Sequence, residues 1–332
     1  MTKIPISVLE LATVLDGGNH SSAISNTVEI ARHVESLDYK RIWMAEHHNM
    51  EYIASSATSV LIGHVAEKTK SIRVGSGGIM LPNHSPLVIA EQFGTLEAIY
   101  PGRIDLGLGR APGSDQLTAM ALRRNQNTAQ GFPEDVRQLQ KYFSAENRNA
   151  KVRAFPGEGL EIPLWILGSS TDSAYLAAEM GLPYAFASHF APAQFRRAIA
   201  IYRSNFKSSK FLDKPKVMAC VNVIAAETDQ EANDLFNSLI GLFIGIITNT
   251  RKPLAAPAGI PEAYQNPEIK NAVNSMLACS FYGSKETLSK NLTEFINDTG
   301  IDELMVATHI FDLETKLKSF SILKEALSVA CL

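Results

Sequence analysis

The sequence predicts an α/β protein folded as a (β/α)8 barrel. Three observations carry that expectation. Short β-branched runs alternate with longer helical patterns, the mark of parallel α/β architecture. Eight such runs fall within 332 residues, which suits a closed barrel better than an open doubly wound sheet. Polar, chemistry-bearing residues also gather where those runs end, the rim on which barrels place their sites.

The elements follow in order. "PISVLEL" is the first strand, and a helix over residues 22–37 comes next. Its apolar positions Ile24, Val28, Ala31, Val34 and Leu37 step by three or four residues, so they line one face. "RIWMAE" is the second strand, with a helix over 57–68; "IRVGSGGIML" is the third, its helix opening at Pro86 and running to 100. "RIDLGLGR" is the fourth. Residues 111–131 lack clean periodicity, and a helix over 133–144 follows. "PLWILGSS", "PYAFASHF" and "KPKVMACVNVIAA" supply strands five to seven, "ELMVATHIF" the eighth, and a last helix fills 313–330. Residues 249–268, "NTRKPLAAPAGIPEAYQNPE", are rich in Pro and Ala and read as a binding loop or lid within one domain spanning 1–332.

Composition narrows the function classes. Hydrophobic residues make up 45% and charged residues 20%, with a net charge of −3. Such a balance gives no electrostatic reason to expect nucleic acid or an anionic membrane as partner. Cys220, Cys279 and Cys331 lie far apart, with neither zinc nor disulfide spacing. Glu10 interrupts any signal-peptide core, and "LIGLFIGIIT" is too short to cross a bilayer. A cytoplasmic location is expected.

The strand ends carry the chemistry. Strand two ends in Glu46, His47 and His48; strand six ends in Ser188-His189, and strand eight in Thr308-His309. Neighbouring strand residues point to opposite faces, so His47 and His48 should not converge on one metal ion. The helical H-E-x-x-H spacing is absent as well. Two histidines that merely end a strand and hydrogen-bond locally are the alternative to a proton-transfer site. "VGSGGIM" and "GLGRAPG" fail the dinucleotide fingerprint, because its third glycine would fall at Met80 or Pro112. Gly75, Gly77, Gly78, Gly107 and Gly109 either leave a bare wall for a flat ring or mark tight strand packing. "GSSTDSAYLAA" leads from a strand into a helix through Gly168, Ser169, Ser170, Thr171 and Ser173, a natural oxyanion cradle. Arg110 could add a bidentate grip. Capping the helix is the commoner use of residues such as Thr171 or Asp172.

The blocks "WMAEHHN", "RVGSGGIMLPNHSPLVIAEQFGTLEAIYPGRIDLGLGRAPG" and "WILGSSTDSAYLAAEMGLPYAFASHF" make the chain resemble the bacterial-luciferase-like flavin-dependent monooxygenases over nearly its whole length. The resemblance implies a TIM barrel with insertions and reduced flavin mononucleotide (FMN) as cofactor, or the deazaflavin F420 in one branch. It implies monooxygenation of a small or medium organic substrate, aldehyde-like among the candidates, by dioxygen. By the same resemblance His47 matches the catalytic imidazole, and Gly77-Gly78 the non-prolyl cis peptide beneath the flavin. Arg110, Ser169, Ser170 and Ser173 match phosphate contacts beside Gly168. Gly109 stands where light-emitting members carry a reactive cysteine, which argues against light emission. A homodimer, a separate NAD(P)H-dependent flavin reductase and a mobile loop at 249–268 are further implications. A non-catalytic flavin-storage protein and an F420-dependent oxidoreductase are the alternatives.

Overall fold

Eight parallel strands close into a ring in the computed structural model of the chain, which describes residues 4–111, 115–123 and 129–329. In chain order the elements are β1 (Ile6–Glu10), α1 (His20–Ser36), β2 (Arg41–Met44), α2 (Thr58–Lys68), β3 (Arg73–Met80), α3 (Pro86–Ile99) and β4 (Ile104–Gly109). There follow α4 (Gln116–Ala121), α5 (Phe132–Phe143), β5 (Leu164–Gly168), α6 (Thr171–Met180), β6 (Tyr184–Phe186), α7 (Phe195–Asn205) and β7 (Val217–Ala225). The chain ends with α8 (Asp229–Ile247), α9 (Pro267–Met276), β8 (Ser280–Gly283), α10 (Lys285–Thr299), β9 (Glu303–Ala307) and α11 (Leu313–Val329). The ring runs β6-β5-β4-β3-β2-β1-β9-β7 and closes by pairing β7 with β6. The expected (β/α)8 barrel is therefore present.

The strands are apolar on both faces because both are buried, one against helices and the other inside the ring. Alternation sorts them. Ile42 and Met44 of β2, Leu164 and Ile166 of β5, and Leu304 and Val306 of β9 join the layer beneath the helices. Trp43, Ala45, Trp165, Ala185, Met218, Cys220, Met305 and Ala307 fill the interior. Trp43 and Trp165 meet edge to face, their ring centroids 5.4 Å apart.

The amino-terminal end of the ring is closed by charge. Arg41 donates to Asp105 at 2.6 Å and to Glu303 at 2.7 Å. Arg73 and Trp43 Nε1 also donate to Asp105, at 2.7 and 3.1 Å. Ser7 donates to Glu303 at 2.5 Å. Asp105 and Glu303 are buried, so these pairs must be complete to be tolerated.

Two features depart from the sequence expectation. The sheet has a ninth strand, β8, which pairs with the last half of β7 from Asn222↔Ser280 to Ala225↔Gly283. Together with α8 and α9 it encloses a satellite core around Ile224, Leu239, Phe243 and Val273. The 249–268 segment is also shorter as an irregular stretch, since α9 begins at Pro267. It is pinned midway: Leu254 is buried and bridges Leu15, and Asp16 N–H donates to Leu254 O at 2.9 Å. Among the described residues, no helix is long and apolar enough to cross a membrane.

Candidate active site

Alternation continues past the strand ends and decides where each rim residue points. Along β2 the interior positions run Arg41, Trp43, Ala45 and then His47. The β6 line passes through Ala185 to His189, and the β9 line through Met305 and Ala307 to His309. Three imidazoles thus top the interior lines at the carboxyl-terminal mouth. His189 electrostatically feels both His309 and His47.

All three are held neutral. Burial pushes His47 down to about 4, with help from the nearby Arg251 cation and against the pull of Glu46. Burial, then His309 and His47, push His189 to about 3. Burial and Lys316 bring His309 to about 4. The His47 and His189 Nδ1 atoms are buried without a hydrogen-bond partner among the described residues. A buried ring nitrogen left unpaired costs about 1–3 kcal/mol. Such a cost suits a site that a ligand completes. The sequence placed His189 and His309 on the rim without assigning them a role; strand parity was the signal that would have.

Glu46 and His48 take the opposite parity and turn outward. Glu46 is buried and accepts from His48 Nε2 at 2.8 Å and from His84 Nε2 at 2.9 Å. Asn83 Nδ2 and Met80 N–H donate to it as well, each at 3.1 Å. Burial opposes the charge, but hydrogen bonds from His84, Asn83 and His48 and the His84 charge hold its carboxyl below the ordinary range. One ligand atom from each of Glu46, His48 and His84 lies within 4.8 Å of the others. His84 is the member sequence spacing did not supply. With both imidazole nitrogens at hydrogen-bond distance from the carboxylate, the cluster ties β2 to the turn after β3. Glu46 N–H reinforces that tie by donating to Gly78 O at 3.3 Å.

The glycines resolve toward close packing. A Cβ on Gly75 would sit 2.5 Å from Asp105 O, and one on Gly107 would sit 2.2 Å from Ser76 O. β3 and β4 therefore approach too closely for side chains there, and a bare wall is not needed to explain them. The Gly77-Gly78 peptide is cis, and the β3–β4 register shifts between Gly77 and Ile79. Past that shift Ile79 joins the outer layer with Met44, so neither faces the mouth. At Gly109 the nearest obstacle to a Cβ is the flexible Met80 thioether.

Arg110 reaches the first turn of α6, donating to Asp172 at 3.2 Å across an exposed pair. The α6 N-cap is Ser170, and its side chain makes no capping hydrogen bond. The expected caps, Thr171 and Asp172, lie inside the helix instead. Ser169 is exposed. Ser173 faces inward, donating to Ser170 O at 2.8 Å and pairing with Tyr184 Oη at 2.9 Å. Thr171 N–H donates to Gln194 at 3.1 Å. Gly168 packs so tightly against Ser173 that a Cβ would fall 1.7 Å from its hydroxyl oxygen. The structure thus brings Arg110, Gly168, Ser169, Ser170 and Ser173 to one side of the mouth, with Ser173 turned away from it.

The comparisons agree on the family. A family model described as luciferase-like monooxygenase matches residues 5–311. A luciferase-like monooxygenase from Escherichia coli (strain K12) is 48% identical over 320 residues, 96% of each chain. The N-acetyl-S-alkylcysteine monooxygenase of Bacillus subtilis (strain 168) is 31% identical, over 98% of this chain and 99% of its own. Among solved structures, apo-MsnO8 shares 31% identity at a TM-score of 0.89, covering 98% of both chains. Two more distant structures share the fold. One is the oxygenating component of 3,6-diketocamphane monooxygenase from Pseudomonas putida with FMN (TM-score 0.78, 16% identity, 100% and 99% covered). The other is an F420-dependent secondary alcohol dehydrogenase (TM-score 0.73, 14% identity, 99% of each covered).

Proposed function

The chain belongs to the luciferase-like monooxygenase family, and from that premise we propose an FMN-dependent monooxygenase, an oxidoreductase that incorporates molecular oxygen. Its substrate in this reading is a small or medium organic molecule, and it emits no light. The observation that carries the reading is His47: a neutral imidazole on the interior line of β2, its buried Nδ1 without a partner among the described residues.

The residues fit a phosphorylated flat cofactor. Arg110 and the uncapped start of α6 would hold the phosphate, using the guanidinium and the Ser169 and Ser170 hydroxyls. Ser173 would join after rotating from Ser170 O and Tyr184. Gly77, Gly78 and Gly109 would border the ring where β3 and β4 end. Reduced FMN, when bound, supplies the electrons that activate dioxygen. The favoured cofactor is FMN rather than F420, because the 31%-identical relative with a named activity is a monooxygenase, whereas the F420 enzyme shares only the fold.

His47 would hydrogen-bond to the substrate, or exchange a proton with it, at one ring nitrogen. Because burial holds it near 4, it works as a neutral imidazole throughout the neutral range, and not by titrating there. Residues 249–261, anchored through Leu254, would cover the mouth and exclude water. No dinucleotide fingerprint is present, so a separate flavin reductase would supply the reduced cofactor. A cytoplasmic homodimer completes the proposal.

Anaerobic titration with reduced FMN tests it. Binding by the wild type and a marked loss in Arg110→Ala are expected. Preference for F420, or equal affinity in the two proteins, would refute the cofactor assignment or the phosphate site respectively.

A further inference from the structure

The pinned segment after α8 carries an exposed guanidinium, Arg251. It forms no ion pair with a carboxylate among the described residues, and its recorded polar contact is Nη1 to Met50 Sδ at 3.4 Å. None of the undescribed residues has an acidic side chain. A thioether is a weak acceptor, so the five-donor fork of an arginine is left largely unused. Met50 and His47 both line a 640 Å³ cavity, together with His20, Ile24 and Ile53. Arg251 thus stands at the edge of a cavity that leads to the catalytic imidazole, close enough for its charge to help keep His47 neutral.

Its place separates it from the cofactor's anchor. Arg251 sits beside the β1 and β2 rim, through Met50 and the Leu15–Leu254 bridge. Arg110 sits beside β4 and β5. With strands about 4.8 Å apart, the two cations are on the order of 10 Å or more from each other across the mouth. One phosphate does not occupy both.

We propose that Arg251 binds the carboxylate of the organic substrate, which makes the substrate class a small organic acid oxidised beside His47. Bidentate guanidinium–carboxylate pairing supplies the recognition. Glu51 also lines the cavity, so a monoanion fits better than a dianion. This proposal rests on the monooxygenase reading for its chemistry, but not for the binding itself.

Calorimetry on the full chain, with and without oxidised FMN, separates the two. The probes are hexanoate and N-acetylmethionine, each against its neutral amide. Both acids should bind the wild type at least roughly 10-fold more tightly than their amides, the scale of one charge-assisted pair. Arg251→Gln should erase that preference and leave FMN affinity within twofold, and Arg251→Lys should restore part of it. Acid preference in a protein that binds no FMN would sink the flavin reading and leave this site standing. Equal binding of acids and amides, no detectable acid binding, or a loss of FMN affinity in Arg251→Gln would each overturn the assignment.

Discussion

The two ends of the barrel use polar groups in opposite ways. At the amino-terminal end, Arg41, Arg73, Asp105, Glu303, Ser7 and Trp43 saturate one another with short hydrogen bonds. At the carboxyl-terminal end, His47 and His189 bury ring nitrogens that nothing among the described residues satisfies. Two interior lines carry both kinds of group, Arg41 below His47 on β2 and Glu303 below His309 on β9. Between them the side chains shrink from Trp43 and Met305 to Ala45 and Ala307. The contrast teaches that one pattern, read upward, passes from polar groups that satisfy one another to imidazoles that no neighbour among the described residues satisfies.

The largest way to break this contrast is at the lower end. Asp105→Asn strips the shared partner of Arg41, Arg73 and Trp43 and should cost about 3–5 kcal/mol in urea unfolding. Its folded fraction should still bind reduced FMN normally. A cost below about 1 kcal/mol would mean that the charged layer is not what secures the ring. His47→Ala comes next, at the upper end: turnover should fall on the order of 100- to 1000-fold with flavin affinity and unfolding midpoint little changed. An unchanged rate would remove His47 from the chemistry. Arg110→Ala should weaken reduced FMN roughly 10- to 100-fold.

A pH dependence sharpens the same contrast. His47, His189 and His309 have folded pKa values near 4, 3 and 4, below the ordinary histidine value of 6.5. Below 6.5 the unfolded chain takes up protons that the folded one refuses, so stability is full above that pH and lost as pH falls toward 4. Glu46, whose folded pKa is also lowered, adds a loss of the same sign below its unfolded value of 4.5. His189→Asn should flatten the decline between 6.5 and 4 in urea midpoints measured across that range. An equally steep decline would place the acid sensitivity elsewhere.

Much of this was legible in the sequence. The eight barrel strands are short apolar runs that alternate with helical patterns, and alternation alone separated His47 from His48. β8 was not legible, because "SFYG" lies outside the ring and finds its place only against the far half of β7. Nor was the Glu46–His84 contact, which depends on β2–β3 pairing in the register Met44↔Ser76. The glycines remained ambiguous for the same reason: Gly75 opposite Asp105 and Gly77 opposite Gly107 is a fact about register. Ile79 joins the outer layer because the register shift resets the parity of β3. The Leu254 anchor has no local pattern at all.

Histidine-ring NMR during titration with FMN tests the central claim most directly, since it asks which face of β2 meets the ligand. The signals of His47 and His189 should move while those of His48 and His84, bound to Glu46, stay in place. Movement of His48 and His84 with His47 and His189 unaffected would contradict the account.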